Sequence, residues 1–204
     1  MTPLDVADWR RRTFSLYEAV REMPDAAEAH ALWVEERNAM FKAHPASALT
    51  PEEQETFQGL PVADYDGGWR FELELEAGEP GSFDYETGTD GVVSFERIGV
   101  VRVPATGMLD VWRHTGYGGG IFLPIKDGLK GQPGGTYGGG RYLLDTIKGA
   151  DLGSDAETNT IVVDFNFAYN PSCAYDPAWA CPLAPAGNTV VAEIPVGELY
   201  FGQH

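Results

Sequence analysis

The segment TIVVDFNFAYNPSCAYDPAWACPLAPAGN, residues 160–188, begins with a strand-like alternation and continues as a proline-rich loop. Apolar side chains occupy every second position from Ile161 to Phe167, which is typical of the core face of a β-strand. The opposite face carries Asp164 and Asn166, and Asn170 follows at the same parity. An open sheet would turn this polar face to water, whereas a closed barrel would turn it into a lumen, where ligand sites tend to lie. The sequence therefore predicts a strand over residues 160–168 and leaves both environments open.

The charge distribution indicates how the polar face would be neutralised. No lysine or arginine occurs between residues 149 and 204, although seven acidic residues do. A buried Asp164 would therefore need a counter-charge from another part of the chain. The nearest arginine in the sequence is Arg141, in the segment GGTYGGGRYLL at residues 134–144. We expect a buried ion pair between Arg141 and Asp164, with binding of an anionic ligand by Arg141 as the alternative.

Size and charge restrict the classes of function. A chain of 204 residues with 43% hydrophobic residues is long enough for a substantial core, so we expect a single domain over residues 1–204. The net charge of −17 argues against nucleic acids and anionic membranes as partners. No apolar run approaches a membrane span, and the N-terminus lacks the apolar region of a signal peptide, so we expect a cytoplasmic protein.

The two cysteines, Cys173 and Cys181, are separated by seven residues. In a reducing cytosol they would be thiols, and in an oxidising compartment they could form a disulfide that closes the loop. A zinc site needs about four ligands, and no histidine lies between the cysteines or shortly before them. We therefore favour two thiols over a disulfide, and either over a metal site, and we expect no cofactor and no metal.

Helix signals fill residues 1–58. Capping residues with an acidic residue in the following turn predict helices that start after Thr2, Asp25 and Thr50, the third of which ends near Phe57. His30 lies in the apolar stripe of the second helix, and we interpret it as a packing residue rather than a ligand.

Strand signals fill residues 59–204. The segment WRFELELE, residues 69–76, alternates strictly, which predicts a half-buried antiparallel strand with a solvated acidic face. Glycine- and proline-rich turns, including Asp90-Gly91 and Asp127-Gly128, separate further predicted strands at residues 91–97, 98–103, 108–114, 120–126, 142–147, 160–168 and 189–194. Helices first and strands afterwards indicate an α+β fold, in which N-terminal helices pack on an antiparallel β-barrel or β-sandwich of about 7–9 strands.

The sequence contains none of the motifs of common enzyme classes that we considered. The glycine-rich segments GYGGG, residues 116–120, and TYGGGR, residues 136–141, lack the ending of a phosphate-binding loop and precede strands rather than helices. There is no G-x-S-x-G turn, and Cys173 has no base that the sequence identifies. Motifs therefore define no reaction.

Several long segments carry a resemblance to a known family. FLPIKD, GGTYGGGRYLL, DFNFAYNPSCAY and CPLAP occur in the same order in the bacterial domain-of-unknown-function family 1684 (DUF1684), which this chain resembles over nearly its whole length. The resemblance implies no particular activity, because none is established for the family. This chain departs from the family pattern at GLKGQPGG, residues 128–135, and at Leu144. Position by position, the resemblance marks Asp127, Thr136, Tyr137, Gly140, Arg141, Tyr142, Asp164, Asn166, Tyr169, Asn170, Cys173, Tyr175, Cys181 and Asn188.

Three hypotheses follow from these observations. The first is a small-molecule pocket for an anionic ligand at a barrel mouth, with or without catalysis, in which Asp164, Arg141 and Tyr169 are the candidate catalytic residues. The second is a binding or accessory protein that uses the same pocket without chemistry. The third is a structural polar network formed by Arg141, Asp164 and Asn166. A homodimer is a further partner that we consider. The candidate ligand-binding residues are Asp127, Tyr137, Arg141, Asn166, Asn170, Tyr175 and Asn188.

Overall fold

The computed structural model describes residues 1–87 and 91–200, and in these ranges three α-helices precede eight β-strands. The helices are α1 (Pro3–Glu22), α2 (Ala26–Ala43) and α3 (Pro51–Thr56). The strands are β1 (Arg70–Glu74), β2 (Ser82–Thr87), β3 (Gly91–Val103), β4 (Gly107–His114), β5 (Ile121–Ile125), β6 (Arg141–Asp145), β7 (Ser154–Asp155) and β8 (Thr160–Asp164). Short 3₁₀ turns lie at Gly67–Trp69, Phe165–Phe167, Ser172–Ala174 and Ala186–Asn188.

Each helix begins at the capping residue that the sequence predicts. The Thr2 hydroxyl accepts the backbone N–H of Asp5, whose carboxylate accepts the N–H of Thr2 in return, and Thr50 begins α3 by the same reciprocal pattern. Asp25 accepts the first N–H groups of α2 with its carboxylate. The three predicted helix starts are confirmed. In the described part of the chain no helix has the length and apolarity to cross a bilayer.

The strands form two antiparallel sheets. One has the order β1-β8-β7 and the other the order β2-β3-β4-β5-β6. Neither ladder closes on itself within the described residues, and an isolated bridge between Glu76 and Val100 joins the two sheets. The α+β class, the antiparallel pairing and the predicted number of strands are confirmed. The acidic face of β1, with Glu72 and Glu74, is exposed as expected.

The final predicted strands are shorter than the alternation indicates. β8 ends at Asp164, not at residue 168, because the Asp164 carboxylate accepts the backbone N–H of Asn166 at 3.0 Å and starts a 3₁₀ turn. Phe165, Asn166 and Phe167 are all buried in this turn, so the two-face alternation does not continue past Asp164. The strand predicted at residues 189–194 is wrong, since only one bridge forms there, between Thr189 and Lys126.

The predicted strands 91–97 and 98–103 are one strand, β3, with an irregularity between Arg97 and Gly99. A Cβ at Gly99 would lie 2.6 Å from the Glu76 carbonyl oxygen, so the close crossing of the two sheets requires glycine there. The sequence reasoning missed β2 and β7. The turn expected at Asp90-Gly91 includes a residue outside the described ranges.

The larger sheet carries apolar side chains on both faces. Adjacent residues such as Val111 and Trp112, or Leu143 and Tyr142, point to opposite sides and belong to different clusters. The main core joins one face of this sheet to the helices and to the smaller sheet, and it includes Leu16, Trp33, Val101, Val111, Leu143, Val163 and Phe167. The helices α1 and α2 therefore share one core with both sheets.

His30 connects α2 to the 3₁₀ turn after β8. It is 5% exposed, its Nε2 donates to the Asn166 carbonyl at 3.1 Å, and its ring lies against Trp33, Tyr65 and Phe167. Burial lowers the pKa of His30. The interpretation of His30 as a packing residue is confirmed.

The His30 pKa predicts a dependence of stability on pH. Because this pKa is lower in the folded than in the unfolded chain, the unfolded chain binds more protons below about pH 6.5, and the free energy of unfolding falls as the pH drops through that value. His30→Gln should flatten this slope, measured by denaturant unfolding between about pH 7.5 and 5. His114→Gln, at a half-buried position on β4, is the matched control. A wild-type slope in His30→Gln would contradict the assignment.

Candidate functional site

Arg141, the first residue of β6, is a charged site residue that the fold buries completely. Its side chain has zero exposed surface, and its Nη2 donates to Asp127 Oδ2 at 3.0 Å and to the carbonyl of Ile194 at 3.1 Å. Its Nη1 donates to the carbonyls of Val196 and, at 3.2 Å, Glu198. The guanidinium thereby ties the C-terminal segment to the end of the larger sheet.

Asp127 completes this network from the turn after β5. Its Oδ1 accepts the backbone N–H of Leu129 at 2.8 Å and the Thr136 hydroxyl at 3.1 Å, while Oδ2 faces Arg141. Burial lowers the pKa of Arg141, and the Asp127 carboxylate opposes that shift. Since both side chains are almost completely buried and engaged with protein atoms, they form a structural network rather than an open anion site.

The predicted ion pair between Arg141 and Asp164 is wrong. Asp164 pairs instead with Arg70, whose Nη1 lies 3.3 Å from its Oδ2. The physical reason is the strand register, which places Arg70 of β1 directly opposite Asp164 of β8, whereas Arg141 lies opposite Ile125 at the end of β5. Asp164 is completely buried, as the expected ion pair required, and burial raises its pKa against the effect of its bonds with Asn166 and Arg70.

Asn166 belongs to the Asp164 network. Its side-chain amide donates to Asp164 Oδ1 at 2.7 Å and to the Asp66 carbonyl at 2.9 Å, and its Oδ1 accepts the Asp66 N–H at 2.9 Å. With His30 bound to its backbone carbonyl, Asn166 connects α2, the segment before β1 and β8. Every polar group of this side chain is used in holding these elements together.

A second buried ion pair was not identified from the sequence. Arg37 of α2 donates to Glu198 Oε2 at 2.6 Å, and the carboxylate is completely buried. The guanidinium carbon of Arg37 lies 4.7 Å from the Trp33 ring centre and 5.1 Å from that of Tyr169. Asn170 donates its amide to Glu198 Oε1 at 3.1 Å. The one sign of this pair in the sequence is that Arg37 lies in the apolar stripe of α2, where a charged side chain needs a buried partner.

The remaining predicted site residues do not meet at one point. Asn188 is buried and joins three elements, accepting from Trp112 Nε1 at 2.7 Å and donating to the carbonyls of Asp110 and Pro124. The Tyr137 hydroxyl lies 3.4 Å from the carbonyl oxygen of Cys173. Thus the predicted residues are mostly buried, but they form separate networks.

One cavity lies between the N-terminal helices, the larger sheet and the loop after β8, and we call it the helix–sheet cavity. It has a volume of about 140 Å³. Tyr169 and Asn170 are the predicted site residues that line it. Its other walls are mainly apolar and include Trp9, Leu16, Met40, Phe41, Ala150 and Trp179.

The charged residues of the helix–sheet cavity are all basic. Arg10, Arg37 and Lys148 line it, and within the described ranges no aspartate or glutamate does. Arg37 is neutralised by Glu198, and Lys148 Nζ lies 3.7 Å from Asp145 Oδ2. Arg10 and Lys148 are exposed. Burial raises the pKa of Asp145 and both cations oppose that shift, so Arg10 and Lys148 lie near the same carboxyl at the rim.

A second cavity of about 250 Å³ lies between α3 and the segments 170–175 and 199–200. Tyr175 and Asn170 line it. Two buried polar atoms, the Tyr175 hydroxyl and Asn170 Oδ1, have no hydrogen-bond partner among the described residues. Asn170 lies between the two cavities, since it lines both.

Together, these observations describe an α+β protein in which the predicted polar residues mainly form buried structural networks. The family model described as "Protein of unknown function (DUF1684)" matches residues 55–199, more than half of the chain. The chain therefore belongs to this family, and the resemblance noted in the sequence is confirmed.

A solved structure extends the comparison. The solution NMR structure of an uncharacterised protein of Haloarcula marismortui is similar to this chain, with 28% sequence identity and a TM-score of 0.60. The similarity covers 85% of this chain and 94% of the other. It covers more of the chain than residues 55–199 do, so it extends into the N-terminal helices. A comparison with curated proteins gives no match.

The buried position of Arg141 predicts a large effect on stability. Arg141→Ala leaves the buried Asp127 carboxylate without a counter-charge and three carbonyl groups without their Arg141 donor, so the free energy of unfolding should fall by about 3–5 kcal/mol in denaturant unfolding. The matched control is Arg102→Ala, which breaks an exposed pair with Glu76 and should cost less than about 1 kcal/mol. Equal effects in the two variants would contradict a structural role for Arg141.

Proposed function

We propose that the protein binds a small organic anion in the helix–sheet cavity and that it does so without a catalytic step. The observation that carries this proposal is the charge of the lining: three basic side chains and no described carboxylate line a mainly apolar space. This occurs in a chain that has 31 acidic and 14 basic residues. Basic residues concentrated at one apolar cavity favour an anionic ligand with an apolar body.

The size of the cavity supports a compact ligand. An apolar cavity of about 150 Å³ in another protein accommodates benzene, and the helix–sheet cavity has a similar volume. A ring or a short branched chain would therefore fill the space between Trp9 and Trp179. The acidic group of such a ligand would lie at the rim, near Arg10 and Lys148. Arg10 is the best candidate to bind it, because Arg10 has no ion-pair partner within the described residues.

Asn170 favours a ligand that also carries a hydrogen-bond donor. It is 4% exposed, and its Oδ1 has no partner in the described part of the chain while its amide is held by Glu198 and Leu199. A buried acceptor without a partner costs about 1–3 kcal/mol, so a ligand hydroxyl or amide that donates to it would gain affinity.

Binding is favoured over catalysis by the environment of the three candidate catalytic residues. Arg141 and Asp164 have no exposed surface and are bonded within the protein. Tyr169 lines the cavity, but burial raises its pKa well above the ordinary value of a tyrosine, so its hydroxyl stays protonated and is a weak proton donor. These observations also support the structural interpretation of the network around Arg141.

Titration with aromatic probes tests the proposal. Because Trp9 and Trp179 line the cavity, binding of benzoate or 4-hydroxybenzoate should change tryptophan fluorescence, and neutral benzyl alcohol should bind more weakly. Arg10→Gln and Lys148→Gln should each raise the Kd for 4-hydroxybenzoate by about two- to fivefold, as expected for an exposed charge pair.

Arg11→Gln is the matched control, since Arg11 is adjacent to Arg10, exposed, and paired with Asp8 outside the cavity. Its Kd should equal that of the wild type. Equal affinity for benzyl alcohol and benzoate, an equal loss of affinity in Arg11→Gln, or no binding of any probe would each overturn the proposal.

A further inference from the structure

The second cavity, which we call the α3 cavity, has walls that are tied to one another. The backbone N–H of Leu199 donates to the Pro61 carbonyl at 2.8 Å, and the Leu199 carbonyl accepts the side-chain amide of Asn170 at 3.0 Å. The Gln54 amide fastens α3 to the end of α2 by donating to the Phe41 carbonyl at 3.0 Å. The α3 cavity, with its volume of about 250 Å³, is therefore a preformed space between fixed segments.

Two oxygen atoms of residues that line the α3 cavity have no partner. The ring of Tyr175 packs against Phe41, with ring centres 5.0 Å apart, while its buried hydroxyl has no hydrogen-bond partner among the described residues. The same is true of Asn170 Oδ1, and an amide oxygen has two lone pairs, so it can accept a hydrogen bond from each of the two cavities that Asn170 lines. Because burial of a polar atom without a partner is unfavourable, a ligand that donates hydrogen bonds to both oxygen atoms would gain affinity.

The charge of the α3 cavity is opposite in sign to that of the helix–sheet cavity. Glu53 lines the α3 cavity, and within the described ranges no lysine, arginine or histidine does. The Glu53 carboxylate accepts the backbone N–H of Thr50 at 2.7 Å, which leaves its negative charge in place. The remaining walls are mainly apolar and include Leu49, Phe57, Leu60, Pro61, Ala174 and Leu199.

We propose that the α3 cavity binds a small primary amine in its ammonium form. An ammonium group carries a positive charge and three N–H donors and has no acceptor, which matches the Glu53 carboxylate together with the oxygen atoms of Tyr175 and Asn170. An apolar cavity of about 150 Å³ accommodates benzene, so the α3 cavity has room for a phenyl ring with a short chain. This site lies in a different cavity from the anion site proposed above and does not depend on it.

Isothermal titration calorimetry of the full chain with 2-phenylethylamine tests the proposal. At about pH 7 this amine is protonated, as a lysine side chain is, and it should bind about fivefold or more tightly than 2-phenylethanol, which is neutral and of the same shape. Tyr175→Phe keeps the ring that packs on Phe41 and removes the unpartnered hydroxyl. It should raise the Kd for 2-phenylethylamine by about three- to tenfold without lowering the melting temperature.

Glu53→Gln tests the charge of the cavity with a second variant. Glutamine can maintain the capping pattern with Thr50, so the variant should fold, and the Kd for 2-phenylethylamine should rise by about two- to fivefold. The matched controls are Glu52→Gln, at an exposed neighbour in α3, and Tyr85→Phe, at a half-buried tyrosine of β2. Neither residue lines the α3 cavity, so both controls should bind as the wild type does.

Arg10→Gln locates the site, because Arg10 lines the helix–sheet cavity and not the α3 cavity. Its Kd for 2-phenylethylamine should equal that of the wild type. Tighter binding in Arg10→Gln would place the amine in the helix–sheet cavity and overturn the proposal. Equal affinity for the amine and the alcohol, the same loss of affinity in the controls as in Tyr175→Phe and Glu53→Gln, or no binding of 2-phenylethylamine would overturn it as well.

Discussion

A guanidinium without any exposed surface requires that every polar contact it loses to water is replaced by protein. Arg141 meets most of this requirement with one carboxylate and three backbone carbonyls that bind its two terminal nitrogens, while its Nε has no partner among the described residues. The planar, multi-donor head of arginine suits this arrangement, and the single ammonium of lysine would not. The segment from Ile194 to Glu198, whose described β-pairing is a single bridge between Glu198 and Val62, is thereby held in a defined conformation.

The position of Glu198 depends on this anchor. Its carbonyl is bound by Arg141, while its side chain turns to the helices and binds Arg37 and Asn170. A buried ion pair is a poor source of net stability, because desolvation of both charges offsets most of their attraction. Its consequence here is positional: the pair fixes α2 against the C-terminal segment and holds Arg37 at the edge of the helix–sheet cavity. The structural network and the candidate site are therefore continuous.

The features that were predicted correctly from the sequence are those that depend on residues close together in the chain. Helix starts followed from capping residues, and the alternation of WRFELELE identified β1. The burial of Asp164 was anticipated from its place on the strand, but its partner was not, because Arg70 was interpreted as part of a solvated face. Strand register between β1 and β8 brings residues 94 positions apart into contact, and no local pattern encodes that distance. Sequence resemblance selected buried residues well, yet it could not distinguish residues that build a network from residues that line a cavity.

The helix–sheet cavity illustrates why the candidate site itself was not predictable. Its walls combine side chains from α1, α2, β6 and the loop after β8, and each of these is unremarkable within its own segment. Its charge also depends on tertiary pairing. Arg37 and Lys148 each have a carboxylate partner outside the lining, so they leave less free charge at the cavity than their number suggests. Arg10, an exposed residue on α1, contributes the least compensated charge. Because an exposed charge is screened by salt and worth little alone, the apolar walls would supply most of the affinity, and the rim cations would select anionic ligands over neutral ones of the same shape.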